Sequence, residues 1–205
     1  MRVRKKLPRL QRIGGPLINC EMMSDESENL GSANVTIRLA SASDVIMLAI
    51  LRYAFRCSIG QAHEDVESFV ERCAPWMRER LEEASLWRCW LAERSQTPVG
   101  NLWAQLIEKV PNPTSEPEYH AYLTNLYVLQ EHRGHGIGSM LLSAVLAWIR
   151  TNDVHAVILW PTEESRSFYL RHGFSASEDL MELIIESGNN ESAKDKVNQR
   201  LAKSG

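Results

Sequence analysis

The sequence predicts a mixed α/β (α+β) fold in which strands and helices alternate around one sheet. Short runs of β-branched and apolar residues are interleaved with amphipathic stretches whose apolar residues recur every three to four positions. In the middle of the chain, an apolar run from Leu123 to Leu129 is followed by Gly134, Gly136 and Gly138, and then by an amphipathic stretch. A strand, a glycine loop and a helix in that order build an anion site from backbone N–H groups.

Composition limits the alternatives. A length of 205 residues fits one domain with appendages, and 44% hydrophobic residues support an ordinary core. The net charge of −3 gives no general attraction to nucleic acid or to anionic membranes, so we expect neither as a partner. No apolar run approaches the roughly 20 residues that a membrane-spanning helix needs.

The four cysteines are widely spaced and form no C-x-x-C pair; they are Cys20, Cys57, Cys73 and Cys89. The spacing predicts neither a zinc site nor a disulfide framework. We therefore expect no metal and a reducing, cytoplasmic location.

Residues 1 to 33 differ in composition from the rest, because their basic residues all precede the first acid, Glu21. We favour a disordered leader, with a transit peptide or a true start at Met22 or Met23 as alternatives. The domain is expected over residues 34–186, and the polar residues 187–205 are expected to form a disordered tail.

Each element has its own signal. Val35–Leu39 alternates and is β-branched, and Ser41 with Asp44 forms a capping-box pattern before a helix that starts at Val45. A second helix has 3.6-residue spacing but contains Pro75, so we expect a kink or two abutting helices. Further strands are predicted at Leu86–Glu93, Val99–Val110, Tyr119–Val128 and Val154–Leu159, and a closing hairpin at Phe174–Ala176 and Leu180–Glu186.

Three kinds of glycine loop compete for residues 133 to 138. A Walker loop needs a lysine that Gly136-Ile137-Gly138-Ser139 lacks, and a dinucleotide fingerprint needs G-x-G-x-x-G rather than G-x-G-x-G. The pattern R-x-x-G-x-G is met by Arg133, Gly136 and Gly138. It resembles motif A of the GCN5-related N-acetyltransferases (GNAT), in which the loop holds the pyrophosphate of acetyl-CoA.

A second stretch, from Leu159 to Phe174, resembles motif B of the same family, in which a strand leads into a short helix that carries a tyrosine and ends at Gly-Phe. The resemblance spans about residues 35 to 186. It implies a mixed, mostly antiparallel twisted sheet of about six to seven strands with about four helices. It also implies a splayed parallel strand pair at the acetyl-CoA site, acetyl-CoA as co-substrate, and no metal.

The resemblance also implies the site residues. Tyr169 matches the general acid for the leaving thiolate, with a core aromatic as the alternative. Thr162 and Ser165 match positions near the CoA arm, although both could equally cap a helix. The remaining cofactor positions are the backbone that bonds the pantetheine arm and the phosphate loop: Leu126, Tyr127, Val128, Arg133, Gly134, His135, Gly136, Ile137 and Gly138.

The general base is less defined. Many relatives place a glutamate where this chain has Tyr122, so we expect water-relayed deprotonation through Tyr122 or through the nearby His120. Strand periodicity puts Tyr122, Thr124 and Leu126 on one face and Leu123, Asn125 and Tyr127 on the other.

The predicted function is acetyl transfer from acetyl-CoA to a primary amine by direct attack in a ternary complex. The alternative is a non-catalytic acyl-CoA-binding module of the same fold; a dinucleotide-binding protein is disfavoured by the loop spacing. The acceptor is expected to be a small-molecule or peptide amine, and both a monomer and a homodimer stay open. A small cationic amine is favoured by aromatics and acids near the predicted cleft: Tyr53, Phe55, Trp76, Glu116, Glu118 and His120.

Overall fold

The computed structural model describes residues 34–177, 180–183 and 185. The expected leader (residues 1–33) and tail (187–205) lie outside the described residues. The described residues fall into two compact units, one ending at Trp160 and one beginning at Pro161. The first unit contains β1 (Val35–Leu39), α1 (Val45–Ser58), α2 (Val66–Arg80), β2 (Trp87–Arg94), β3 (Thr97–Glu108), β4 (Tyr119–Val128), α3 (Ile137–Ile149) and β5 (Val154–Ile158). The second contains α4 (Glu163–Arg171).

The mixed α/β fold class is confirmed. The strands of the first unit form one sheet in the order β1-β2-β3-β4-β5, in which only β4 and β5 run parallel. Five strands are fewer than the six to seven expected, because the closing hairpin is absent from the described residues. Phe174–Ala176 forms no strand, and Leu180–Glu186 lies partly outside the described residues. Met181 and Leu183 are 94% and 82% exposed, so neither side chain is buried against the described part of the chain.

Helices cover both faces of the sheet. Leu48 and Met77 pack with Trp103 in a cluster between α1, α2 and one face. The ring of Trp90, which points to the opposite face, lies 5.3 Å from Trp148 of α3. Side chains that alternate between two covered faces explain why the central strands are apolar almost throughout.

Two local predictions need correction. Helix α2 runs unbroken through Pro75, so two abutting helices are wrong. Pro75 and Glu71, whose carbonyl loses its partner there, are both exposed, and water can satisfy that carbonyl. The β2–β3 turn is tighter than expected, since Arg94 pairs with Thr97 across a two-residue loop in which both residues have positive φ.

The capping box predicted at Ser41 is present, and it caps a 3₁₀ turn, Ala42–Asp44, that leads into α1. The Ser41 N–H donates to the Asp44 carboxylate at 2.7 Å. Arg38 of β1 donates to Asp44 at 2.8 Å and to Glu93 of β2 at 2.6 Å. The bond from Arg38 to Asp44, and then those from Ser41, lower the pKa of Asp44 to about 2. The helix entry is therefore tied to two neighbouring strands.

Strand β4 contains a β-bulge at Asn125. Asn101 of β3 lies opposite Tyr127 and Trp103 lies opposite Thr124, so β4 has one extra residue between the two pairs. Asn125 has a φ of 55°, in the left-handed region that asparagine adopts more readily than most residues.

The bulge changes the face of every residue after it. Tyr122 lies opposite Gln105, and Tyr127 lies opposite Asn101. Gln105 and Asn101 are four residues apart on β3, so they share one face, and Tyr122 and Tyr127 share it too. The expectation that these two tyrosines lie on opposite faces is wrong, because strict alternation assumes a strand without an inserted residue.

Two side chains hold the bulge. The fully buried Asn101 donates its side-chain amide to the Asn125 carbonyl at 3.1 Å. Arg52 of α1 donates to the Asn125 side-chain oxygen, also at 3.1 Å. A carbonyl displaced from the ladder thus regains a partner inside the core.

We predict that Asn101→Ala destabilises the protein by about 1–3 kcal/mol, because it leaves the buried Asn125 carbonyl without its donor. The free energy of unfolding, measured with urea, checks this. Asn112→Ala, in the exposed loop before β4, is the matched control and should change stability by less than about 0.5 kcal/mol. Equal effects of the two substitutions would contradict the role given to Asn101.

Candidate active site

Strand β4 extends beyond the end of β5, its parallel neighbour. The pairing of β4 with β5 runs from Tyr119 to Tyr122, which lies opposite Ile158, and β5 ends at Ile158. From Leu123 to Val128, β5 therefore offers no partner to backbone groups on that edge. Leu126, Tyr127 and Val128, predicted to bond an extended ligand, all lie in this part of the strand, and β3 still holds its other edge.

The glycine loop follows directly. A short 3₁₀ turn, Gln130–His132, leads to Gly134 and Gly136, which have φ values of 79° and 76°. A Cβ added to either glycine would meet nothing within 4 Å, so open space lies over both. Glycine is needed here because L side chains rarely adopt such φ values.

Helix α3 begins at the end of this loop. The first intrahelical bond runs from the Met140 N–H to the Gly136 carbonyl, at 3.0 Å. The N–H groups of Ile137 and Gly138 therefore precede the helix ladder and are directed out of its N-terminus. The Ile137 side chain is buried in the core, so Ile137 can contribute to the site only through its backbone.

Arg133 ties the loop to the end of β4. Its Nε donates to the Val128 carbonyl at 3.0 Å, and its guanidinium carbon lies 5.5 Å from the centre of the Tyr127 ring. The side chain is exposed, so this cation stays in reach of the loop's solvent side. His135, between the two left-handed glycines, is also exposed.

The face of β4 towards α1 carries the groups that could move a proton. The ring of Tyr122 packs edge-on against Trp160 at 5.0 Å. His120 is half-buried, and its Nδ1 is buried with no hydrogen-bond partner in the described part of the chain. Burial, and then the charges of Lys109 and His155, lower the pKa of His120. Its imidazole is therefore neutral at pH 7.

Three of the residues expected to attract a cationic acceptor, Glu116, Phe55 and Trp76, have other partners. Glu116 forms an ion pair with Lys109, and its carboxylate lies 3.5 Å from His155 Nδ1. Phe55 packs on Tyr127 at 5.5 Å. Trp76 packs against Trp87 at 5.5 Å and Trp103 at 6.2 Å. Phe55 and Trp76 therefore contribute to packing, and Glu116 is neutralised by its neighbour.

The second unit holds the helix predicted to carry the acid. Thr162 is the N-cap of α4, and its Oγ1 accepts the Ser165 N–H at 3.3 Å. Of the alternatives left open for Thr162 and Ser165, the structure displays the capping role.

The end of α4 fixes Tyr169. Gly173 has a φ of 86°, and the Gly173 and Phe174 N–H groups donate to the carbonyls of Leu170 and Tyr169 at 3.1 and 3.2 Å. This is a Schellman motif, and its usual apolar contact is made by the rings of Tyr169 and Phe174, 5.5 Å apart. Burial raises the pKa of Tyr169 to about 12, so its hydroxyl keeps its proton at pH 7.

Sequence reasoning missed two features of this site. A Cβ on Gly100 would lie 2.8 Å from the Tyr127 carbonyl, so β3 approaches the end of β4 closely. Asn101 supports the bulge. The sequence contains a signal for both features. Gly100 and Asn101 are adjacent and interrupt the otherwise apolar run Val99–Ala104.

Neither a membrane-spanning helix nor a metal site is found among the described residues. No helix among them is long and apolar enough to cross a membrane. Within the same ranges, no group of three or more His, Cys, Asp or Glu side chains is arranged to hold a metal ion.

One family model matches the chain. The model of the acetyltransferase (GNAT) family matches residues 53–174. No curated protein matches the chain.

Among solved structures with this fold, the names of two proteins state different acceptors. One such structure is a predicted acetyltransferase with acetyl-CoA from Clostridium acetobutylicum, 22% identical, with a TM-score of 0.61 over 74% of this chain and 96% of that chain. A ribosomal-protein-alanine N-acetyltransferase from Brucella melitensis is 18% identical, with a TM-score of 0.55 over 76% and 100%. An aminoglycoside acetyltransferase from an uncultured soil metagenomic sample is 16% identical, with a TM-score of 0.57 over 75% and 96%. At such identities the likeness shows the fold and leaves the acceptor open.

We predict that His120 titrates below its usual value of 6.5, because burial and neighbouring positive charges disfavour the imidazolium. NMR titration of the imidazole C–H signals measures this, with His120→Gln identifying the resonance. Lys109→Met should raise the midpoint by removing a positive charge, and Glu116→Gln should lower it by removing a negative one. A midpoint at or above 6.5, or shifts of the opposite sign, would contradict the environment described for His120.

Proposed function

The chain belongs to the GNAT acetyltransferase family, whose model matches residues 53–174, and from this premise we propose that it transfers an acetyl group from acetyl-CoA to a primary amine. Family membership implies acyl transfer; the amine acceptor and the direct attack in a ternary complex are parts of the proposal. The observation that carries it is the free edge of β4 beyond Tyr122, which leads straight into the glycine loop.

The residues present fit acetyl-CoA. Backbone groups at Leu126 and Val128 can pair with an extended amide-containing arm as a further strand would, whereas the Tyr127 carbonyl points towards β3. The open space over Gly134 and Gly136, together with the N-terminus of α3, suits a pyrophosphate. When bound, acetyl-CoA would supply an acetyl group activated as a thioester. Backbone N–H groups fixed on β4 are suited to stabilise negative charge on its carbonyl oxygen.

The acceptor amine must lose a proton before it attacks. An amine with a pKa of about 10.4 is mostly charged at pH 7, and deprotonating it costs roughly 4–5 kcal/mol. His120 is a neutral imidazole on β4, and Tyr122 follows it two residues later on the same face. We assign proton removal to His120, relayed by water along Tyr122.

Tyr169 would donate a hydrogen bond to the sulfur atom that leaves with CoA. Its pKa of about 12 keeps the hydroxyl protonated, so it can donate a hydrogen bond. An ordinary thiol has a pKa of about 8.5, so complete transfer of this proton would be uphill by roughly 5 kcal/mol. The larger contribution is therefore a hydrogen bond that strengthens as charge develops on the sulfur.

We predict that Gly136→Val abolishes CoA binding, since its side chain would enter the space over the loop and its φ of 76° strains any L residue. Calorimetry measures the affinity. Gly60→Val is a matched control, because Gly60 also has a positive φ, of 66°, and open space around it, but it lies outside the loop. The control should bear the same strain and keep CoA affinity.

Thiol release tests the activity itself. Wild-type protein with acetyl-CoA should release free CoA thiol only when a primary amine is added, and Gly136→Val should not. CoA binding without amine-dependent thiol release, across a broad amine panel, would contradict the enzyme and favour the non-catalytic module. Undiminished affinity in Gly136→Val would contradict the phosphate site.

We predict that Tyr169→Phe lowers kcat by about 10²–10³-fold, the range for losing one hydrogen-bond donor to developing charge. KM for acetyl-CoA should change little, because the ring and its packing on Phe174 remain. Tyr119→Phe, at the start of β4, controls for loss of a hydroxyl elsewhere. An unchanged kcat in Tyr169→Phe would assign the protonation of sulfur to another group.

A further inference from the structure

A cavity of about 220 Å³ lies among α1, α2 and the segment that connects them. It is smaller than the roughly 300–1,000 Å³ of pockets that enclose a drug-sized ligand, so it fits a small molecule or one end of it. Its charged and aromatic lining consists of Arg52, Arg56, Arg72, Glu64, His63, Tyr53 and Phe69.

The lining has unbalanced charge. Three guanidinium groups face one carboxylate, and that carboxylate, on Glu64, forms an ion pair with Arg72. Arg52 donates to the neutral side chain of Asn125. Neither Arg52 nor Arg56 forms an ion pair with any residue that the structure describes. Two positive charges at the cavity wall thus lack a compensating anion from the described chain.

Helix geometry puts these two charges side by side. Arg52 and Arg56 are four residues apart on α1, where side chains are neighbours and like charges repel. Both are half-buried. Burial, and then the positive charge of Arg56, lower the pKa of Arg52. Such a pair is destabilised as it stands, and a bound anion would relieve it.

The cavity adjoins the reactive face of β4. Arg52 lines the cavity and donates to Asn125 in the bulge, and it interacts electrostatically with Tyr122. A molecule held by its anionic end at Arg52 and Arg56 therefore lies next to the strand that carries Tyr122. Guanidinium groups recognise carboxylates through paired, charge-assisted hydrogen bonds.

We propose that Arg52 and Arg56 bind a carboxylate of the acceptor, and that the acceptor is a small primary amine of the amino-acid class. This rests on the proposed function, because it names the substrate of the same site. The rings of Tyr53 and Phe69, 5.8 Å apart, add apolar surface to the cavity lining beside the cations. The same cations repel polyamines, so this class replaces the cationic amine favoured by the sequence.

The experiment compares amines that differ only in charge. kcat/KM is measured by thiol release for amino acids and ω-amino acids, for their primary amides, and for spermidine. The wild type should prefer carboxylates over the matched amides by about 10- to 150-fold, as expected for one charge-assisted hydrogen bond. Arg56 is the position to change, since Arg52 also supports the bulge.

Three variants test the arginine. Arg56→Gln should remove most of the preference for carboxylates, and Arg56→Glu should invert it towards spermidine. Arg150→Gln, on an exposed arginine at the end of α3, is the matched control and should keep the preference. Calorimetry with an amino acid and its amide, with and without CoA, gives a readout that does not need turnover.

The outcomes separate this inference from the proposed function. Turnover without preference for carboxylates, or a preference that survives Arg56→Glu, overturns the inference and leaves the acetyltransferase standing. Carboxylate binding that Arg56→Glu abolishes, without thiol release from any amine, supports the anion site and overturns the enzyme. Neither binding nor turnover with any probe overturns both.

Discussion

The left-handed conformation of Asn125 is the constraint on which the site depends. One inserted residue turns the end of β4 so that Tyr127 shares the α1 face with Tyr122. The carbonyl that leaves the ladder then needs a donor, and the fully buried Asn101 supplies it. The Asn125 side chain in turn draws the Arg52 guanidinium out of water and onto the strand. Sheet register, core packing and the charge of the neighbouring cavity are therefore coupled through one backbone dihedral angle.

The same strand explains why backbone, and few side chains, can form a binding surface here. Beyond Tyr122, β4 has no β5 neighbour, yet its other edge stays anchored by β3, which approaches so closely that only glycine fits at position 100. Because β3 holds one edge of β4 rigidly, the backbone N–H and C=O groups on the other edge are already in position to bind a ligand. The loop continues this arrangement, because left-handed glycines turn the chain into the start of α3 and leave open space above them.

Elements whose signals are local were predictable from the sequence. Val35–Leu39 and Tyr119–Val128 have the expected bounds, and α3 lies in the amphipathic stretch predicted after the glycines, since the periodicity of each lies within one segment. The faces of β4 were not predictable, because the bulge arises from pairing with β3 and from two partners distant in sequence. The described part of the closing hairpin forms no strand for a related reason: alternation predicts a strand only where another strand pairs with it, and the described residues offer none there.

Local charge could not be read from composition either. A net charge of −3 and acids before β4 suggested a cleft that attracts cations. Folding brings Lys109 to Glu116, seven residues later, and cancels that carboxylate across the base of the loop. Meanwhile, Arg52 and Arg56 lie on the inner side of α1, where the fold gives them a neutral amide and each other as neighbours. The sign of the potential beside Tyr122 is thus set by which charges are paired, and only the unpaired ones can select a ligand.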